Sequence, residues 1–181
     1  MIKEISLTYI DYLQRKNADD LAFYPLSTLE KAIDEQKILT CEENGQQSGY
    51  LWHGAIRSGK DTVIYQACVD YDARKRHLGW GMVSELIALC TVANATGIRL
   101  RCASSSDSNE FWQHIGFYCT KVGQGGGKRN RDINFWRTDI QTPLFVLPSV
   151  EPSTKLIVLR EYNRKKREGV EMPSRWSRSH Y

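Results

Sequence analysis

The chain has no long apolar run, no paired-cysteine framework and no leader-like start. None of its apolar stretches approaches the roughly 20 residues that a membrane-spanning helix needs, which argues against a helical membrane protein. The opening MIKEISLTY lacks the layout of a signal peptide. Five cysteines, Cys41, Cys68, Cys90, Cys102 and Cys119, are odd in number, widely spaced and set among apolar neighbours. They fit reduced core thiols of a cytoplasmic protein, and neither a disulfide scaffold nor a metal site is expected. No internal repeat is visible.

What is present suits one globular domain with an extension. A chain of 181 residues can bury a proper core. Its net charge of +4 hides an asymmetry. Residues 1–70 carry 7 Lys/Arg against 11 Asp/Glu, whereas residues 71–181 carry 18 against 10. The second half therefore favours an anionic partner, whether a phosphorylated cofactor or nucleic acid.

Hydrophobic periodicity and turn residues predict the elements. Ile2–Ile5 reads as a short strand, and Thr8 as the cap of a first helix that fades near residues 17–20. Ser27-Thr-Leu-Glu30 has the form of a capping box opening a second helix to about Gln36. Three strands follow, 37–42, 48–56 and 62–70, and the turns at Asn44-Gly45 and Ser58-Gly-Lys-Asp61 make them antiparallel neighbours. Met82–Thr96 repeats apolar residues at helical spacing up to Gly97. A strand over 98–103, a short helix from Asp107 or Ser108 to Gly116, and strands over 117–122 and 133–137 complete the pattern. Pro143, Pro148 and Pro152 mark a linker, and Ser153–Tyr181 is basic. The expected division is a domain over 1–140 and a basic extension over 141–181. Within that extension, 154–167 fits a helix and 156–159 equally a strand.

The stretch VDYDARKRHLGWGM, residues 69–82, carries the chemistry. It places Arg74, Lys75, Arg76 and His77 ahead of Gly79 and Gly81, where a strand turns into a helix. Helix starts expose unpaired N–H groups and a partial positive charge, and glycine admits a phosphate close to the backbone. A solvated charged turn is the plainer reading of the same residues.

In its order of elements the chain resembles the GNAT superfamily of N-acetyltransferases. Arg76-His77-Leu78-Gly79-Trp80-Gly81 matches that family's phosphate loop, and Asn109-Glu-Phe-Trp-Gln-His-Ile-Gly-Phe117 its later segment. The resemblance covers about residues 1–138. It implies an α/β (α+β) fold with a mixed, mostly antiparallel twisted sheet flanked by helices. It further implies that acetyl-CoA lies against the 74–82 loop (Arg74, Arg76, His77, Leu78, Gly79, Trp80, Gly81, Met82) and beside Asn109. Backbone groups of Cys68, Val69 and Asp70 would bond the pantetheine arm. An acceptor amine would then attack the thioester directly. The tyrosine that serves as acid in the family falls at Trp112, whose indole donates no useful proton. Tyr118 is the nearest substitute, and His53 the candidate base, because its pKa lies near neutrality. Tyr65 and Gln66 flank the expected acetyl site.

The glycine-rich loop 123–131 would border the acceptor, with Lys128, Arg129 and Arg131 selecting an anionic one. Basic stretches at 164–167 and 175–181 extend the list of partners to DNA or RNA. A weaker resemblance, to phage Mom-type DNA modification proteins, rests on fold and basicity. A third reading is a nucleic-acid-binding module without activity.

Overall fold

Two apolar clusters on opposite faces of one sheet organise the protein. The structure is a computed structural model that describes residues 5–125 and 131–140. Four helices and six strands occur in it: α1 (Leu7–Lys16), α2 (Leu26–Asp34), β1 (Ile38–Glu43), β2 (Gln46–His53), β3 (Asp61–Val69), α3 (Leu78–Val92), β4 (Gly97–Ala103), α4 (Ser108–His114), β5 (Tyr118–Gln124) and β6 (Asp132–Asp139), with a 3₁₀ turn at Tyr71–Ala73. The sheet order is β1-β2-β3-β4-β6-β5, and every pair is antiparallel except β3–β4. This is the mixed, mostly antiparallel sheet that the sequence implies. A parallel pair needs a crossover, and α3 provides it.

Ile10, Leu13, Leu29, Ala32, Tyr50 and Trp52 join α1 and α2 to one face of β2 and β3. Leu51, Met82, Leu86, Leu100, Trp112 and Trp136 fill the other face beneath α3 and α4. Alternation along each strand makes this division possible. The leftward half of the sheet is thus covered on both faces. On the β4–β6–β5 half, alternate residues point away from α4: Arg99 and Arg101 are exposed, and their cross-strand partners Arg137 and Phe135 are half-buried.

Several boundaries differ from expectation, each for a local reason. Ser6, not Thr8, caps α1: its extended backbone lets the hydroxyl accept from Tyr9 N–H at 3.2 Å. The Ser27–Glu30 capping box does not form. Pro25 caps α2, which starts at Leu26, and its carbonyl accepts from Thr28 and Leu29 N–H. α3 begins four residues before Met82 and ends at Val92, not at Gly97, because Asn94 takes a left-handed φ of 54° that asparagine tolerates. The expected strand at 2–5 lies outside the described residues save for Ile5, which is in no strand. The linker and extension, 141–181, lie outside them too.

A buried polar clasp fixes the α1–α2 connection over β3. Gln66 on β3 accepts from Tyr50 Oη (3.0 Å) and donates to the Ala22 carbonyl. Gln14 on α1 donates to the Tyr24 carbonyl (2.9 Å) and accepts from Tyr24 N–H (3.2 Å). Both glutamines are almost fully buried, so losing one leaves its partners desolvated without a bond. Gln66→Ala is expected to lower unfolding stability by about 2 kcal/mol. Amide exchange should accelerate selectively over residues 17–25, a pattern that hydrogen-exchange mass spectrometry reads directly.

Candidate functional site

The site begins where β3 and β4 part. They pair over three positions only, Asp61–Gly97, Thr62–Ile98 and Val63–Arg99. Beyond these, β3 stays bonded to β2 as far as Val69, and β4 to β6 as far as Ala103. A wedge therefore opens between them, and the facing backbone edges have no strand partner among the described residues. The closed end is pinned. Arg137 Nε donates to Asp61 Oδ2 (3.1 Å), Thr96 Oγ1 to Asp61 Oδ1 (2.7 Å), and Arg137 Nη1 to Tyr118 Oη (2.9 Å). The guanidinium holds the Asp61 carboxyl below the usual carboxylate range. Gly97 fits there because a Cβ would lie 2.7 Å from the Thr138 carbonyl and 3.1 Å from Asp61 Oδ1.

Helix α3 starts at the wide end. A Cβ on Gly79 would sit 3.2 Å from the Phe111 ring of α4 and 3.8 Å from Val69 at the tip of β3, so this first turn bridges the mouth of the wedge. A Cβ on Gly81 would meet nothing within 4 Å. The two glycines thus do different things: Gly79 permits close packing, and Gly81 keeps a surface bare. Lys75 (φ 63°) and His77 (φ 60°) both take left-handed backbone, which turns the chain sharply into the helix. Gly81 N–H already bonds the His77 carbonyl at 2.9 Å. The three N–H groups before it, of Leu78, Gly79 and Trp80, are those that a helix start cannot satisfy internally. Trp80 is exposed, whereas the Met82 side chain is in the core.

The loop arginines are held by the protein itself. Arg74 Nε donates to the Val69 carbonyl (3.1 Å) and Nη2 to Asn17 Oδ1 (2.9 Å), with its guanidinium over the Tyr71 ring. Arg76 pairs with Glu43. Two of the backbone groups assigned to a pantetheine arm are also engaged, the Val69 carbonyl by Arg74 and Asp70 N–H by the Ser48 carbonyl (2.9 Å). The Asp70 carboxylate meets Lys16 (3.0 Å) and Tyr9 Oη (3.1 Å). Burial, reinforced by this carboxylate, pushes the Tyr9 hydroxyl up to about 12. A recess of about 410 Å³ flanks the loop on its outer side, where Glu43, Asp70 and Asp72 stand beside Arg76. Those carboxylates disfavour a phosphate on that side of the loop.

Asn109 clamps the β4–α4 connection. Its Nδ2 donates to the carbonyls of Ala103 (2.8 Å) and Ser106 (2.7 Å), and its Oδ1 accepts from Asn134 Nδ2 (3.0 Å) and Trp136 Nε1 (2.9 Å). Both polar atoms of that side chain bond within the protein. Trp112 is buried, edge-on to Phe111 and Phe117. Tyr118 lies at the pinned end, donating to Asp139 Oδ2 at 2.8 Å, so the fold does not bring it to the mouth of the wedge. Arg131 Nη1 donates to the Asp19 carbonyl at 2.6 Å and latches the β5–β6 hairpin to the α1–α2 connection. Lys128, Arg129 and the basic stretches after 141 lie outside the described residues.

His53 ends β2 opposite Ile64, one strand from the branch point. It is 4% exposed, its Nδ1 lies 2.8 Å from the Gly54 carbonyl, and its Nε2 has no partner among the described residues. Nδ1 therefore carries the proton, and Nε2 keeps the lone pair. The register slips beside it: Trp52 faces Gln66 and His53 faces Ile64, so Tyr65 is an extra, bulged residue. Bulges redirect side chains, and Tyr65 stands 46% exposed against Trp52 (centroids 4.8 Å apart). Tyr24 packs edge-on to the same indole at 4.8 Å. Sequence reasoning flagged Tyr65 by its place near the branch; Tyr24 and Trp52 carried no signal, since their meeting depends on the buried clasp.

No protein-family model matches the chain, and no curated protein matches it. Solved structures do. Ard1 from Thermoplasma volcanium superposes with a TM-score of 0.68 at 14% identity, over 78% of this chain and 97% of that one. The ribosomal-protein-S18-alanine N-acetyltransferase from Escherichia coli gives 0.62 at 14% identity, over 80% and 98%. The Salmonella typhimurium protein yncA, with acetyl-CoA as its cofactor, gives 0.56 at 20% identity, over 66% and 76%. The fold is that of the GNAT N-acetyltransferases.

Burial holds the His53 pKa below its ordinary value, with Lys37 adding to the effect and the Gly54 bond opposing it. The unfolded chain then binds more protons than the folded one below the usual histidine pKa of about 6.5. Stability is expected to be full above that pH and to fall as pH drops through the lowered folded pKa. His53→Gln should flatten this part of the profile, measured as unfolding midpoints between pH 5 and 8. An unchanged slope would assign it to other groups.

Proposed function

We propose that the protein is an acetyl-CoA-dependent N-acetyltransferase that acts on an amine. The observation that carries this reading is the wedge between β3 and β4 with the bare start of α3 across its mouth. A pyrophosphate there would accept from the N–H groups of Leu78, Gly79 and Trp80, in the favourable field of the helix dipole. Lys75 and His77, both exposed, add cationic reach. The extended pantetheine arm suits the unpaired edge of β3 above Val63, in the manner of an added strand.

Acetyl-CoA supplies an electrophilic carbonyl carbon and a thiolate leaving group. The amine nitrogen bonds that carbon as the C–S bond breaks, and one proton passes from nitrogen to sulfur. Backbone N–H groups at the bulge around Tyr65 are the groups in this chain suited to polarise the carbonyl. Trp112 offers no proton, which leaves the amine's own proton, carried through solvent, to neutralise the thiolate. His53, with Nε2 deprotonated but buried, would act as base only at one remove, so we assign it a positioning role beside the branch. The acceptor would approach from the face that α4 does not cover. The extension 141–181 forms no part of the proposed cofactor site.

Saturating acetyl-CoA, at about 100 times its Kd, is expected to stabilise the fold by about 2.7 kcal/mol, a shift of several degrees in unfolding midpoint. Gly81→Val should abolish the shift while leaving the apoprotein as stable as before, since its side chain enters open space. Gly79→Val should instead destabilise the apoprotein by pushing against Phe111. A wild-type protein that shows no shift would remove the proposal.

A second experiment addresses the domain division. Deleting residues 149–181 should leave the acetyl-CoA shift intact. A truncated protein that folds but loses the shift would place part of the site in the extension.

A further inference from the structure

The half-sheet face opposite α4 carries an arrangement that the N-acetyltransferase reading leaves unused. Arg101 on β4, Phe135 on β6 and Lys121 on β5 are cross-strand neighbours in one row. The Arg101 guanidinium lies 5.2 Å, and the Lys121 ammonium 4.5 Å, from the centroid of the Phe135 ring. Both cations are exposed. Neither has a carboxylate within 4 Å among the described residues, whereas Arg15, Lys16, Lys37, Arg76 and Arg137 all do. An aromatic face holds a cation in place without neutralising it, so both charges remain available to an anion.

This row lies on the face from which the acceptor would approach. Tyr24, whose hydroxyl is within electrostatic reach of both Tyr65 and Arg101, spans from the α1–α2 connection toward β4. Tyr24, Trp52 and Tyr65 form one aromatic cluster; Arg101 and Lys121 flank Phe135 on the half of the sheet whose open face α4 does not cover. The Arg131–Asp19 latch closes one end. Sequence reasoning gave the anion-selecting role to Lys128, Arg129 and Arg131. Arg131 is occupied by that latch, and the exposed cations on this face are Arg101 and Lys121, to which sequence reasoning gave no role.

Resting on the N-acetyltransferase reading, we propose that the acceptor is an amine bearing a carboxylate or phosphate, which Arg101 and Lys121 grip above Phe135 while Tyr24 and Tyr65 flank its carbon skeleton. Guanidinium binds either anion through paired N–H donors, and the adjacent ammonium adds a point charge. The aromatic cluster excludes water from one side, which strengthens the pairing.

Labelled acetyl transfer to matched amines tests this: free amino acids, the same amino acids as carboxamides, and phosphoethanolamine beside ethanolamine. The anionic member of a pair should be acetylated with a kcat/KM at least tenfold higher, and the two pairs distinguish carboxylate from phosphate. Arg101→Gln and Lys121→Gln should each raise KM for the anionic amine about tenfold or more, leaving its kcat, the neutral amine's kinetics and the acetyl-CoA heat shift nearly unchanged. Arg57→Gln, an exposed cation away from this face, should change none of these. Heat shifts without acceptor would show that both variants are folded. Equal use of neutral and anionic amines, or an unchanged KM in both variants, overturns this inference alone. Absence of any acetyl-CoA binding overturns it together with the reading on which it rests.

Discussion

Everything distinctive in this protein depends on one incomplete ladder. β3 and β4 are held together over three residue pairs by the Asp61–Arg137–Thr96 cluster and by the close backbone approach at Gly97. They then separate, β3 continuing beside β2 and β4 beside β6. A sheet interior normally satisfies its backbone groups on both edges. Here two edges are left facing one another at the centre of the fold, away from the rim. Such a gap leaves backbone donors and acceptors open to water or to a ligand with groups of its own.

The crossover helix puts its N-terminus at the gap. A parallel connection has to leave the top of β3 and return to the bottom of β4, so the start of α3 necessarily lies at the open end. The helix dipole therefore points its positive end at the wedge. The loop leading into it is basic, yet its two arginines are already bonded within the protein. Arg74 ties the loop to β3 and α1, and Arg76 ties it to the β1–β2 turn through Glu43. Their role is to hold two left-handed residues and the helix start in register. Exposed ion pairs contribute about 1 kcal/mol or less each, so this anchoring works through geometry more than through stability.

The sheet also has two unlike halves. One face of the β2–β3 half is closed by α1 and α2, whose connection is drawn down by Gln14 and Gln66. That connection brings Tyr24 to Trp52 and Tyr65. Buried glutamines are costly unless every polar atom is paired, and these form a network that spans α1, β2, β3 and the loop. The same face of the β4–β6–β5 half has no helix over it among the described residues, and it presents Arg101, Phe135 and Lys121. Asn109 occupies the other side, joining β4, α4 and β6 through four hydrogen bonds.

Local chemistry was legible in the sequence. Asn-Gly and Ser-Gly-Lys-Asp turns set β1, β2 and β3 antiparallel, apolar spacing set α3, and two glycines after a basic run marked the helix start. These features depend on neighbours a few residues apart, which a sequence displays. Caps were misplaced because Ser6 and Thr8, or Ser27 and Pro25, compete within one turn, and the winner is whichever lets Ile10 and Leu13, or Leu29 and Ala32, reach the core. The roles of individual polar side chains were decided by tertiary structure alone. Asn109 became a clamp, Tyr118 went to the pinned end, Arg131 became a latch and His53 was sealed, while Arg101 and Lys121 kept open charges. Whether a polar group is spent or available depends on partners distant in sequence: Asn109 on Trp136, Arg137 on Asp61, Gln66 on Gln14. Register and the bulge at Tyr65 fix those meetings, and neither is encoded in the residues on one strand.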